Sequence, residues 1–124
     1  MAAWWRELLG RDHPLGAIDK TLDFHGQPVL DKTQYDAFFN TDLESRLRQS
    51  SSRQLVITGV ATHLCCESTA RSAFMRGLSV FMAIDATATW NRALHFASLR
   101  GLAHACAVPL LTSDLLAACG EPSC

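Results

Sequence analysis

The sequence has no excess of either charge, since its 124 residues include 11 Lys and Arg against 12 Asp and Glu. Binding to nucleic acid phosphates requires a basic excess, so nucleic acid is excluded as an expected partner. No apolar run approaches the roughly 20 residues that cross a bilayer. The opening "MAAWWRELLGRD" lacks the apolar core of a secretory signal. We therefore expect no membrane partner and a cytoplasmic location.

Repeats, low-complexity tracts and long linkers are also missing, so we expect a single domain over residues 1–124. The 48% hydrophobic and 19% charged content is typical of a globular protein. The five cysteines are odd in number and include no C-x-x-C, and the five histidines lack metal-ligand spacing. These features predict free thiols, a reducing compartment and no metal or other cofactor.

What the sequence does contain is a regular alternation of short apolar runs and helical patterns. The predicted strands are 28–32, 54–61, 78–86 and 107–113, and the predicted helices are 41–49, 66–77 and 91–105. Strands that alternate with helices predict an α/β fold with a parallel sheet. The runs "LVIT" and "VFMAI" are continuously apolar, which predicts strands covered on both faces.

Reactive groups of such folds lie at the carboxyl ends of the strands, which directs attention to "TGVATHLCCESTAR" at 58–71. We predict that Thr62 caps the following helix and places Cys65 in its first turn. A sulfur there meets unpaired N–H groups and the positive end of the helix dipole, which favour thiolate over thiol. Cys65 is therefore either a nucleophile or a small core residue. Cys66 points about 100° around the helix axis and is predicted to pack in the core.

Four other side chains follow the predicted strands. Lys32 is either a solvated lysine or a cation beside the thiolate. His63 is close to Cys65 in sequence but faces another way, so we prefer a pocket-lining or surface role over that of its base. By our interpretation Asp85 caps the turn that follows it rather than lining the site, and Trp90 offers an aromatic wall for a pocket.

Three segments together resemble the isochorismatase-like superfamily of cysteine hydrolases, which includes nicotinamidases: "VLDKTQYDAFFNTDLESRLR", "LVITGVATHLCCESTARSAFMRGLSVFMAIDATA" and "HFASLRGLAHACAVPLLTSDLL". The resemblance implies a three-layer α/β/α fold around a mainly parallel sheet. It also implies an Asp, Lys, Cys triad that hydrolyses an amide or related C–N bond of a small molecule. Lys32 falls on the lysine of the family's K-x-x-Y-x-A-F motif, and Cys65 falls on the cysteine of G-V-A-T-x-x-C-x-E-S-T.

The resemblance implies further features of the site. The family has a non-proline cis peptide, which would lie between Val60 and Ala61, and an oxyanion hole, which the amides of Ala61 and Cys65 would form. The resemblance also places Tyr35, Phe38 and His63 in the substrate pocket. We expect a homo-oligomer.

The sequence departs from the family pattern before Lys32. The family's catalytic aspartate ends an apolar first strand, and none of the aspartates before Lys32 has that setting; these are Asp12, Asp19, Asp23 and Asp31. We therefore expect the domain to be partial, without the family's first strands, and the aspartate to come from outside these residues. In addition, "ATHLCC" resembles the A-H-I-G-C of isochorismatases that cleave a vinyl ether without a cysteine. Vinyl-ether hydrolysis without covalent catalysis and a non-catalytic assembly subunit thus stay open as alternatives.

Overall fold

The structure, a computed structural model, describes residues 13–120. A 3-10 turn at Pro14–Gly16 is followed by α1 (Leu43–Gln49), β1 (Gln54–Val60), a π-helical turn (Thr62–Cys66), α2 (Glu67–Met75), β2 (Ser79–Ala88), α3 (Arg92–Ala105), β3 (Val108–Leu110) and α4 (Thr112–Cys119). None of the helices in this range is long and apolar enough to cross a membrane.

The described strands form one parallel sheet in the order β1-β2-β3. Leu55 of β1 lies opposite Val80, and Phe81 of β2 lies opposite Val108. The prediction of an α/β fold with a parallel sheet is confirmed. Because the strands are parallel, their carboxyl ends lie at the same end of the sheet. The segments that carry the candidate residues begin there.

The core lies around the central strand β2, whose Val80, Met82 and Ala83 are buried. Helices α2 and α3 contact each other and β2, and α4 also contacts β2. Ala70 and Leu102 supply buried side chains from α2 and α3. The prediction that the "VFMAI" run is covered is confirmed, because every side chain of β2 from Val80 to Ile84 is buried or half-buried.

The same prediction is wrong for "LVIT" in β1. Ile57 is buried, but Val56 is 37% exposed and Thr58 is also exposed. In the described part of the chain β1 is an edge strand of the sheet. Its main contacts are with β2 and with the Thr62–Cys66 turn. The continuously apolar run in β1 is therefore not covered on both faces of the strand.

Two other predictions fail in the described range. Residues 28–32 are irregular rather than a strand, because a strand needs a partner for its backbone groups and Pro28 has no N–H to offer. The predicted strand at 107–113 shrinks to β3, and α4 begins at Thr112. That helix start is fixed by Asp114, whose carboxylate accepts the N–H of Leu111 at 3.1 Å. Sequence periodicity gave no separate signal for α4.

Candidate active site

The chain turns out of the sheet directly after β1. Gly59 has a φ of +99°, a backbone conformation that favours glycine, and the ladder between β1 and β2 shifts register between Ile57 and Gly59. The peptide bond between Val60 and Ala61 is cis. The π-helical turn that carries Cys65 begins at Thr62, so the thiol lies near the carboxyl end of β1.

Helix α3 anchors this turn from the other side. The Thr62 side chain is fully buried, and its hydroxyl is hydrogen bonded to Nδ1 of His95 at 2.9 Å. The hydroxyl of Ser98 donates to the Thr62 carbonyl at 3.3 Å. The prediction that Thr62 caps the following helix is wrong, because Ala61 occupies the N-cap position and the Thr62 hydroxyl is bonded to α3 instead.

The structure brings Lys32 and Cys65 together. Nζ of Lys32 lies 3.3 Å from Sγ of Cys65 and also donates to the Gln34 carbonyl at 2.9 Å. Cys65 is half-buried, while Lys32 is exposed in an irregular segment. Of the two interpretations of Lys32, the geometry therefore favours a cation beside the sulfur.

Cys66 behaves differently from its neighbour. It is 4% exposed, lies in the core cluster, and its thiol donates to the Thr58 carbonyl at 3.6 Å. Burial, and then the adjacent Cys65, raise the pKa of the Cys66 thiol to about 11. The prediction that Cys66 packs in the core is confirmed.

Two hydroxyl groups of α2 hold the segment that comes after Lys32, and sequence reasoning missed both. Thr69 accepts the N–H of Ala37 at 3.1 Å. The Ser72 hydroxyl donates to Oδ2 of Asp36 at 2.7 Å. The available signal was the spacing of Cys65, Thr69 and Ser72, which places them on one side of a helix.

His63 and Trp90 form an aromatic pair beyond the ends of β1 and β2. Their ring centroids are 4.9 Å apart in an edge-to-face arrangement, and Trp90 is 68% exposed. Nδ1 of His63 is hydrogen bonded to the hydroxyl of Thr89 at 3.1 Å. That nitrogen is thus engaged with Thr89 rather than with Cys65, and a pocket-lining role for His63 stays a prediction.

The two other predicted pocket residues have separate surroundings. Phe38 is 6% exposed and packs in the core, with the Arg76 guanidinium 4.6 Å from its ring centroid. Phe38 also lines a cavity with Leu47 and Arg76, and its role in a substrate pocket stays a prediction. Tyr35 is half-buried, and its carbonyl accepts the Thr69 hydroxyl at 3.4 Å. Its side chain stays a predicted pocket residue.

The aspartates described by the structure include two that are bonded away from the thiol. Asp85 accepts the Thr112 hydroxyl at 2.6 Å and the Thr112 N–H at 2.9 Å, and these hydrogen bonds lower the pKa of its carboxyl. Asp85 therefore binds the first residue of α4, 27 positions on, rather than capping the turn that follows it. Asp19 accepts the N–H and hydroxyl of Thr21, and the backbone bond is the larger cause of its lowered pKa. Asp12 lies outside the described residues.

Within residues 13–120, no three His, Cys, Asp or Glu side chains converge as a metal site.

Similarity to known proteins shows the family of this chain. Residues 2–114 match the family model described as the Isochorismatase domain. The chain belongs to the isochorismatase family. Its fold is also that of isochorismatase-like proteins: it superimposes on the crystal structure of a cysteine hydrolase from Pseudomonas syringae pv. phaseolicola with a TM-score of 0.83 and 26% identity, over 88% of this chain and 57% of that one.

Relatives of known sequence in the isochorismatase family carry different names. Nicotinamidase 3 of Arabidopsis thaliana is 45% identical over 75 residues, which are 60% of this chain and 38% of that protein. The Isochorismatase of Bacillus subtilis is 38% identical over 88 residues, 71% of this chain and 28% of that protein. The chain thus spans less than half the length of these relatives.

Proposed function

We propose that this isochorismatase-family chain is a hydrolase in which Cys65 attacks the carbon of an amide or related C–N bond in a small molecule. The observation that carries the proposal is the 3.3 Å approach of Lys32 Nζ to the Cys65 sulfur. The thiolate is the reactive form of cysteine, and a fixed ammonium group favours it. The similarity to Nicotinamidase 3 supports an amide as the substrate class.

In the proposed reaction, the Cys65 thiolate forms a C–S bond and the carbonyl oxygen becomes an oxyanion. The N–H groups of Ala61 and Cys65 would donate to that oxyanion, as the resemblance implies, and Lys32 would balance the developing charge. Breakage of the C–N bond then releases the amine with a proton and leaves a thioester. Water hydrolyses the thioester and restores the thiol. No metal or other cofactor takes part in this proposal.

The proton transfer requires a general acid and base, which the resemblance assigns to an aspartate. Asp36 is bonded to Ser72, and Asp85 is bonded to Thr112. We propose that the acid/base is a further aspartate from outside these 124 residues, which makes the domain partial. We also propose a cytoplasmic location, because free thiols such as Cys65 and Cys119 suit a reducing compartment. A homo-oligomer is a separate part of the proposal.

A thiol-labelling experiment tests the proposed role of Cys65. Iodoacetamide at neutral pH should alkylate Cys65 about tenfold faster than the exposed Cys119, because only Cys65 has an ammonium group beside it. Tandem mass spectrometry would separate Cys65 from Cys66. Equal rates at Cys65 and Cys119 would contradict the activated thiol.

Vinyl-ether hydrolysis without covalent catalysis is the second candidate, and the similarity to the Bacillus subtilis Isochorismatase favours it. The variant Cys65→Ala separates the two. With nicotinamide as the substrate, we expect Cys65→Ala to lose hydrolysis by at least about 10³-fold. With isochorismate, full retention of hydrolysis by Cys65→Ala would instead support the non-covalent route. Cys119→Ala is the matched control, since it removes a thiol far from β1 in sequence.

A further inference from the structure

Thr69 links the part of the chain that carries Lys32 to the helix that comes after Cys65. Its hydroxyl accepts the N–H of Ala37 at 3.1 Å and donates to the carbonyl of Tyr35 at 3.4 Å. The hydroxyl of this half-buried side chain is therefore both a donor and an acceptor to the same short segment. Thr69 lies four positions after Cys65, which is about one helical turn.

The segment around Lys32 lies outside the helices and strands, so tertiary contacts hold it. Residues 28–34 belong to no helix or strand and are mostly exposed. The bond from Lys32 Nζ to the Gln34 carbonyl stays within the same segment, so it does not attach that segment to the rest of the domain. Irregular, exposed backbone opens at low free-energy cost unless tertiary contacts hold it. The distance from Lys32 to Cys65 thus depends on how the residues just after Lys32 are held.

A second contact lies further along the same face of α2. Ser72 donates to the Asp36 carboxylate at 2.7 Å, and Arg76 in turn donates to the Ser72 hydroxyl. Of these two residues, Thr69 is the nearer to Cys65 in sequence, four positions away against seven for Ser72. Its two hydrogen bonds bracket Asp36, between Tyr35 and Ala37.

We propose that Thr69 is a positioning residue that sets the distance between Lys32 and Cys65 by holding the backbone at Tyr35 and Ala37. Thr69 acts through Lys32 and touches no substrate in this proposal. The inference rests on the proposed function, in which the ammonium group of Lys32 activates the Cys65 thiol.

Alkylation by iodoacetamide at neutral pH tests the role of Thr69. Thr69→Val keeps the shape of the side chain and removes the hydroxyl, and it should slow alkylation of Cys65 about fivefold. Thr69→Ser keeps the hydroxyl and should restore the wild-type rate. Ser68→Ala, a loss of the neighbouring hydroxyl on α2, is the matched control. Buried Cys66 should stay unlabelled in every variant, which shows that the fold remains closed.

Lys32→Gln distinguishes failure of this inference from failure of the proposed function. If Lys32→Gln slows Cys65 alkylation and Thr69→Val does not, the positioning role of Thr69 is wrong while the proposed function stands. If Lys32→Gln has no effect, the proposed activation by Lys32 fails, and the inference fails with it. The double variant should be no slower than Lys32→Gln alone, because Thr69 acts only through Lys32. If the double variant is slower than Lys32→Gln by the factor that Thr69→Val causes alone, the inference is overturned.

Amide hydrogen exchange of the wild-type chain tests the contact without a substitution, should Thr69→Val fail to fold. The Ala37 amide should exchange at least about tenfold more slowly than its intrinsic rate, because its N–H is bonded to Thr69. Exchange at the intrinsic rate would overturn the proposed contact. An Ala37 amide that is protected in the wild type and in Thr69→Ser would support it.

Discussion

The two members of the Lys32–Cys65 pair come from parts of the molecule that are held in different ways. Cys65 lies in a turn whose Thr62 is fully buried and bonded to α3. Lys32 lies in exposed, irregular chain that is attached to α2 through hydrogen bonds of Thr69 and Ser72. Packing therefore holds the sulfur, while a few polar contacts hold the charge beside it. Changes to the first part should affect stability, and changes to the second should affect reactivity.

The largest expected effect is on the packed part. Met82 is 1% exposed on the central strand β2, so Met82→Ala should lower the free energy of unfolding by about 2–5 kcal/mol. Lys32→Gln should change that free energy by less than about 0.5 kcal/mol, because its side chain is exposed. Urea unfolding followed by circular dichroism measures both. A comparable loss in Lys32→Gln would show that the segment around Lys32 is part of the packed unit.

A smaller effect is expected where the packed part meets the site. Thr62→Val removes the buried hydroxyl bonded to His95, and we expect a loss of about 1–2 kcal/mol in the free energy of unfolding. Thr112→Val is the matched control, because its hydroxyl is bonded to the exposed Asp85, and its loss should be smaller. Equal losses in these two variants would contradict the view that α3 anchors the turn through Thr62.

A further effect is confined to alkaline pH and concerns the buried Cys66 thiol. Burial raises the pKa of the Cys66 thiol from 9.0 to about 11, so the folded state holds this proton more tightly than the unfolded state. The resulting stability is fully present below pH 9.0 and is lost as the pH rises through about 11. Urea unfolding between these pH values should show a shallower decline for Cys66→Ala than for the wild type. An unchanged slope would mean that the Cys66 thiol is not protected by the core.

The elements that the sequence predicted well are those with a strong local pattern. The helix predicted at 91–105 agrees with α3 (Arg92–Ala105), because its start is marked by Asn91, whose side chain accepts the N–H groups of Ala93 and Leu94. The helix predicted at 66–77 also agrees with α2 (Glu67–Met75), although no side chain caps the start of α2.

Predictions that depended on neighbours were less accurate. The strand predicted at 28–32 did not form, and β1 is not covered on both faces, since pairing and coverage come from other parts of the chain. The sequence pattern records that these residues are apolar, but it does not record which surface they meet.

The sequence alone determined the alternation of helices and strands, and it singled out Cys65 at the start of a helix and Cys66 as a core residue. It also marked Lys32 as a candidate through resemblance to a family motif. Only the tertiary structure decided that Lys32 meets a sulfur 33 positions away, and that Thr69 holds the intervening segment. Periodicity along the chain specifies which side of an element a residue occupies, whereas contacts between distant residues arise only when those elements pack together.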